Sequence, residues 1–106
     1  MRRGFLLIGL ALVLAGCGTG GKAESHGMDQ TNGAKLFTSK CAGCHTLAAA
    51  NAKGTVGPNL DDAKPPKALV VQRVTNGKGV MPSFKSQLSS AEIQAVAAYV
   101  SSVAGK

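Results

Sequence analysis

Cys41-Ala42-Gly43-Cys44-His45 is the stretch on which the reading of this chain turns. Two thiols with two residues between them, followed directly by an imidazole, form the attachment signature of a c-type haem: each sulfur adds across one vinyl group and His45 becomes an axial ligand to the iron. The spacing sets both sulfurs on one side of a helical turn. Two other chemistries use part of the same pattern. A structural zinc site needs four ligands as a rule, and no second CxxC or HxxxH follows. A thioredoxin-like redox pair wants a βαβ context, which the Ala- and Lys-rich flanks do not provide. A single CxxCH implies one haem c, covalently attached through Cys41 and Cys44.

Composition agrees with a bound cofactor. With 106 residues there is room for one domain, and three Phe, one Tyr and no Trp give little bulk for a core. A haem would supply it. The net charge of +7 is modest, spread along the chain and not interleaved with aromatics, which sets nucleic-acid binding aside.

The N-terminus reads as an export signal. Arg2 and Arg3 precede an apolar run over residues 5–15, too short to span a bilayer but right for a signal-peptide core. The run ends in Leu14-Ala15-Gly16-Cys17, which resembles the lipobox of bacterial lipoproteins. Residues 1–16 are then a lipoprotein signal peptide and Cys17 the lipidated first residue of the mature chain, which also accounts for the third cysteine. The mature protein is expected outside the cytoplasm, on the extracytoplasmic or periplasmic side, anchored to the cell membrane by lipid at Cys17. Residues 17–28 are Gly-rich and polar without apolar periodicity, and are expected to be a flexible tether spanning roughly 20 Å. His26 and Met28, iron ligands by type, are discounted because they fall in that segment.

The haem domain is placed at residues 29–106. A short helix over residues 32–40 delivers the haem motif. A middle helix over 66–75 starts at proline, buries Leu69, Val70 and Val74, and stops at Asn76-Gly77. The last helix has the clearest start: Ser89 and Glu92 match a capping box, Leu88 and Ile93 a hydrophobic staple. Ile93, Val96, Ala97, Val100 and Ala104 then repeat at helical spacing and form one apolar face. Loops punctuated by Gly54, Gly57, Pro58, Pro65, Gly77, Gly79 and Pro82 fill the rest, more loop than so small a domain sustains without a cofactor to wrap around. Met81 lies in one of these loops. Its thioether is the candidate second axial ligand, a soft donor that favours ferrous iron and closes the site to small molecules.

With these residues the chain resembles the class I c-type cytochromes, particularly the small bacterial and algal forms. The likeness is carried by Cys41 to His45, by Gly57-Pro58-Asn59-Leu60, by the loop from Asn76 to Phe84 ending in Met-Pro-Ser-Phe, and by Gly33 and Phe37 facing Val96 and Tyr99. It implies that the first and last helices cross closely at Gly33. It implies too that the Pro58 carbonyl accepts a hydrogen bond from His45, and that Leu60 packs on the haem. The tryptophan that bonds a propionate in mitochondrial relatives is missing, and Gln87 stands where many algal relatives have arginine. Arg73 is left as the candidate to steady a propionate.

The fold class expected is all-α, a small class I cytochrome c fold with three to four short helices around one haem. The function expected is that of a membrane-tethered, monomeric one-electron carrier between larger redox complexes, with no substrate transformed. Lys40, Lys53, Lys78 and Lys85 would steer it onto acidic partners. The alternatives are a fixed electron-input subunit of an oxidase or dehydrogenase, and a haem sensor or enzyme with an open iron position.

Overall fold

The computed structural model describes residues 21–106, with side chains from residue 30 onward. The signal peptide and Cys17 lie outside the described residues. Helix α1 runs over Gly21–Lys40, α2 over Leu60–Ala63, α3 over Lys67–Asn76 and α4 over Ser90–Val103. Between α1 and α2 a two-stranded antiparallel ladder joins β1 (Thr46–Leu47) to β2 (Ala52–Lys53), in the register Thr46 opposite Lys53 and Leu47 opposite Ala52.

The first helix begins earlier than the sequence suggests. Residues 21–28, expected within the flexible tether, are helical. Once the turns from Asn32 to Lys40 are fixed against the core, each added residue extends an existing helix without a new nucleation cost, and Lys22, Ala23 and Glu24 are good helix formers.

The crossing of α1 and α4 is the centre of the domain. A Cβ built on Gly33 would strike the Ala95 carbonyl oxygen and come within 2.7 Å of the Tyr99 Cβ, so only glycine allows the two backbones to approach this closely. One turn on, the Phe37 and Tyr99 rings meet at a tilt, 6.1 Å between centroids. Phe37, Leu47 and Val96 are the largest fully buried side chains among the described residues, and truncating a phenylalanine in such a place costs about 3–5 kcal/mol. Ile93, Val96, Ala97, Val100 and Ala104, the periodic face of α4, all join this core.

Helix α4 starts as its sequence dictates. The Ser89 hydroxyl accepts from the Glu92 N–H at 3.1 Å and the Glu92 carboxylate accepts from the Ser89 N–H at 2.9 Å, while Leu88 and Ile93 on either side of the cap are both buried. Pro66 caps α3, and Gly77 ends it with φ +72°.

The β-ladder is absent from the sequence reading. Leu47 and the three alanines of Ala48–Ala50 favour helix by propensity, but the segment reverses in a single 3₁₀ turn with Asn51 in the left-handed region at φ 51°, a conformation asparagine tolerates. Asp61 holds this region from outside. One carboxylate oxygen accepts from the Ala48 N–H and the other from the Gly105 N–H, each at 2.8 Å, so the side chain ties the ladder turn to the chain end beyond α4. These bonds, first from Gly105 and then from Ala48, hold the Asp61 carboxyl below the usual carboxylate range.

Candidate haem site

The CxxCH stretch continues the end of α1 as an irregular turn. The Cys41 and Ala42 N–H groups both donate to the Phe37 carbonyl (2.9 and 3.0 Å), and those of Cys44 and His45 to the Cys41 carbonyl (3.1 and 3.0 Å). The buried Phe37 ring thereby fixes where the two thiols and the imidazole emerge. Cys41 and Cys44 are not joined in a disulfide. Burial, with Cys44 beside it as a lesser cause, pushes the Cys41 thiol up to about 11.

The loop before α2 lies across the back of this turn. Gly54 N–H donates to the His45 carbonyl at 3.2 Å and Gly57 N–H to the Cys44 carbonyl at 2.6 Å. His45 is buried, and its Nδ1 sits 2.8 Å from the Pro58 carbonyl oxygen. A carbonyl only accepts, so Nδ1 carries the proton and the Nε2 lone pair is left free for a metal. Gly57 makes room for the ring: a Cβ there would come within 2.6 Å of the imidazole Cε1.

His45 opens onto an apolar cavity of about 360 Å³. Cys41 and Cys44 line it, as do Pro58 and Leu60 from the loop and α2, Val70 and Val74 from α3, Val96 and Val100 from α4, and Met81. The Met81 loop is held by reciprocal backbone bonds between Lys78 and Met81, both 3.0 Å, with Gly79 at φ +60° in the turn between them. Ser83 Oγ then donates to the Thr75 carbonyl at 2.6 Å and the Phe84 N–H to the Val74 carbonyl at 2.8 Å, tacking the loop onto the end of α3.

All six candidate residues, Cys41, Cys44, His45, Pro58, Leu60 and Met81, thus border one cavity. The lysines divide: Lys40 and Lys78 border it, whereas Lys53 sits in β2 and Lys85 follows the loop, both away from the wall. Leu69, expected on the buried side of α3, faces the cavity and is 36% exposed. The wall fits a flat apolar macrocycle with anionic edge groups, since its lining is hydrophobic and its permanent charges are all basic.

The family described as "Cytochrome C oxidase, cbb3-type, subunit III" matches residues 28–100. Cytochrome c6 of Leptolyngbya boryana is 42% identical over 76 residues, taking in 68% of this chain and 89% of that protein. The crystal structure of the c-type cytochrome SorU from Sinorhizobium meliloti matches with a TM-score of 0.72 at 49% identity, over 76% of this chain and 95% of that one. The chain belongs to the class I c-type cytochromes.

As a member of that family it carries covalently bound haem c and serves electron transfer rather than enzymatic turnover. The zinc and dithiol readings of Cys41 and Cys44 fall away. A second relative, the cbb3-type cytochrome c oxidase subunit FixP of Bradyrhizobium sp. (strain ORS 278), is 39% identical over 93 residues, yet this chain spans only 31% of that subunit.

Three features of this cytochrome site have no local signal in the sequence. The contact of Gly57 with the imidazole ring forms only when the loop folds back. Val56 and Val80 lie in loops without periodicity. They border the cavity at 66% and 83% exposure, an apolar rim beside Lys40 and Lys78.

Proposed function

We propose that this cytochrome is an exported, monomeric one-electron carrier, tethered to the membrane by lipid at Cys17, with Cys41 and Cys44 as haem thioethers and His45 and Met81 as axial ligands. The observation that carries the ligand assignment is that Met81 and His45, far apart in sequence, border the same apolar cavity. His45 also has its Nδ1 proton engaged by Pro58 and its Nε2 free. Histidine–methionine ligation favours the ferrous state and leaves no open position, which suits a carrier and not a gas sensor or haem enzyme. Leu60 packs beside the ring in this reading. Lys40 and Lys78, with the exposed Val56 and Val80 bordering the same cavity, form the face that meets a redox partner.

The anchor reading is supported by the Leu14-Ala15-Gly16-Cys17 motif and by the Arg2 and Arg3 start. Residues 21–28, being helical, then act as an arm of about 12 Å between anchor and haem domain.

Carbon monoxide tests the iron site. Reduced wild type is expected to resist the gas at neutral pH, while Met81→Ala binds it and shows the corresponding shift of the Soret band. A wild type that binds carbon monoxide readily would sink the carrier reading. For the anchor, replacing Cys17 with Ser should move the protein from the membrane fraction to the soluble fraction and remove a diacylglycerol mass from its N-terminus.

The match to the cbb3-type subunit family and to FixP favours a second reading, in which the domain is a fixed electron-input subunit of an oxidase. Stable co-purification with a larger complex in mild detergent distinguishes it from a mobile carrier.

A further inference from the structure

The Pro58 carbonyl reaches His45 from a segment that packing alone does not fix. Pro58, Asn59, Asp62 and Ala63 are exposed, and of residues 58–63 only Leu60 packs against the core. Hydrogen bonds must therefore hold this stretch in place. Asn59 caps α2 with its own side chain, which stiffens the segment internally but attaches it to nothing else. Attachment comes from either side of Pro58: Gly57 N–H donates to the Cys44 carbonyl before it, and the Asp61 carboxylate takes the Ala48 and Gly105 N–H groups after it.

The Asp61 bond to Ala48 repeats the Pro58 bond to His45. In both, the partners stand 13 positions apart, 45 with 58 and 48 with 61, and both measure 2.8 Å. Residues 45–48 and 58–61 are thus joined by two rungs, one at each end. The 45–48 side is fixed by packing, since Leu47 is fully buried and pairs with Ala52 in the ladder. The 58–61 side depends on the rungs. Asp61's other oxygen accepts from Gly105 beyond the end of α4, which keeps the carboxylate from turning away from Ala48. Bonds to an ionised acceptor are the stronger kind.

We propose that Asp61 is a positioning residue for the axial histidine: its rung to Ala48 holds the loop in register, so that the Pro58 carbonyl stays on His45 Nδ1 and the imidazole keeps its donor strength. The inference rests on His45 ligating the haem iron. A carbonyl that accepts from Nδ1 leaves the ring more basic, and a more basic ligand favours the ferric state. Without the second rung the loop opens more often, water reaches the Nδ1 proton, and the balance moves toward ferrous iron. Asparagine at position 61 has the same shape but accepts from only one of the two N–H groups, because its amide nitrogen is a donor.

The test compares haem-loaded full-length wild type, Asp61→Asn, Asp62→Asn and Ser89→Ala at neutral pH, reading deuterium exchange of the His45 Nδ1 proton by NMR in the ferrous state and the reduction potential. Asp61→Asn is expected to speed that exchange about tenfold and to shift the redox equilibrium toward ferrous about threefold, or ~28 mV for one electron. Among the described residues the Asp62 carboxylate accepts no hydrogen bond, so Asp62→Asn removes the same charge one position along and should leave both readings at the wild-type values. Ser89→Ala loosens the far end of α4 and controls for a general loss of stability. Unchanged exchange in Asp61→Asn would overturn the proposal, as would an equal rise in potential with Asp62→Asn or equally fast exchange with Ser89→Ala. Wild type gives a further check that needs no variant to fold: the Ala48 amide and the His45 Nδ1 proton should share one opening, with protection within about threefold of each other, and a wider gap would overturn the coupling. Ferric wild type without hyperfine-shifted His45 ring signals would instead overturn the axial-ligand reading, a result separate from any outcome at Asp61.

Discussion

The imidazole Nδ1 of His45 lies 2.8 Å from the Pro58 carbonyl oxygen, although thirteen positions separate the two residues. That bond sets the tautomer of the ring, and Gly57, the residue before Pro58, leaves space for its face. Loop and imidazole are therefore one unit. Gly57→Ala would place a methyl carbon within 2.6 Å of Cε1, so either the ring rotates or the loop withdraws. The expected outcome is a several-fold lower yield of covalent haem protein, with a high-spin fraction in the oxidised spectrum. A normal yield of wholly low-spin protein would show that the loop yields at no cost.

Gly33 tests the helix crossing in the same manner. Alanine is favoured over glycine inside a helix by about 1 kcal/mol, yet here its Cβ meets the Ala95 carbonyl oxygen and the Tyr99 Cβ. Overpacking of this kind costs about 1–3 kcal/mol. Gly33→Ala is expected to lower the urea midpoint of the haem-loaded protein, and Gly33→Val to lower it further. A raised midpoint would mean that propensity outweighs the close approach.

The cap of α4 offers a pair of coupled substitutions. Ser89→Ala removes the acceptor for the Glu92 N–H and should cost about 1 kcal/mol. Glu92→Gln retains a weaker acceptor for the Ser89 N–H and should cost less. Because the two side chains satisfy each other's backbone, the double variant is expected to lose less than the sum, as measured by a denaturation cycle.

Acid stability should depend on Asp61 and Glu92. The pKa of Asp61 is lowered by the Gly105 and Ala48 N–H groups, and that of Glu92 by the Ser89 backbone and side chain. Between the lowered folded value and the ordinary carboxylate value near 3.9 the unfolded chain binds more protons, so stability falls as pH falls. The contribution is complete above about pH 5 and is lost as pH drops through the folded values. Asp61→Asn should therefore be less stable than wild type at pH 7, with the gap narrowing towards pH 3. A gap that stays constant with pH would mean that the Asp61 carboxylate charge contributes nothing.

Much of this domain was legible in the residues because its signals are local. The capping box at Ser89 and Glu92, Pro66 and Gly77 bounding α3, and the CxxCH motif each depend on neighbours within a turn or two. The β-ladder and the early start of α1 were not legible, because they go against or beyond local propensity and are settled by what the segments join. Asp61 had no signature either, since its two partners, Ala48 and Gly105, flank it from far along the chain in both directions.

By itself, then, the sequence determined the covalent chemistry of the haem, the start and stop of α3, the start of α4, and the apolar face by which α4 joins the core. Tertiary structure supplied the geometry around the cavity: the 2.8 Å approach of His45 Nδ1 to the Pro58 carbonyl that the family resemblance implies, the space beside the ring at Gly57, and Met81 and Arg73 bordering one cavity. The reason is physical. Covalent attachment and helix capping are written in fixed spacings of a few residues, whereas the haem wall is assembled from α1, two loops, α3 and α4. Their side chains become neighbours only when Gly33 lets α1 and α4 close on each other.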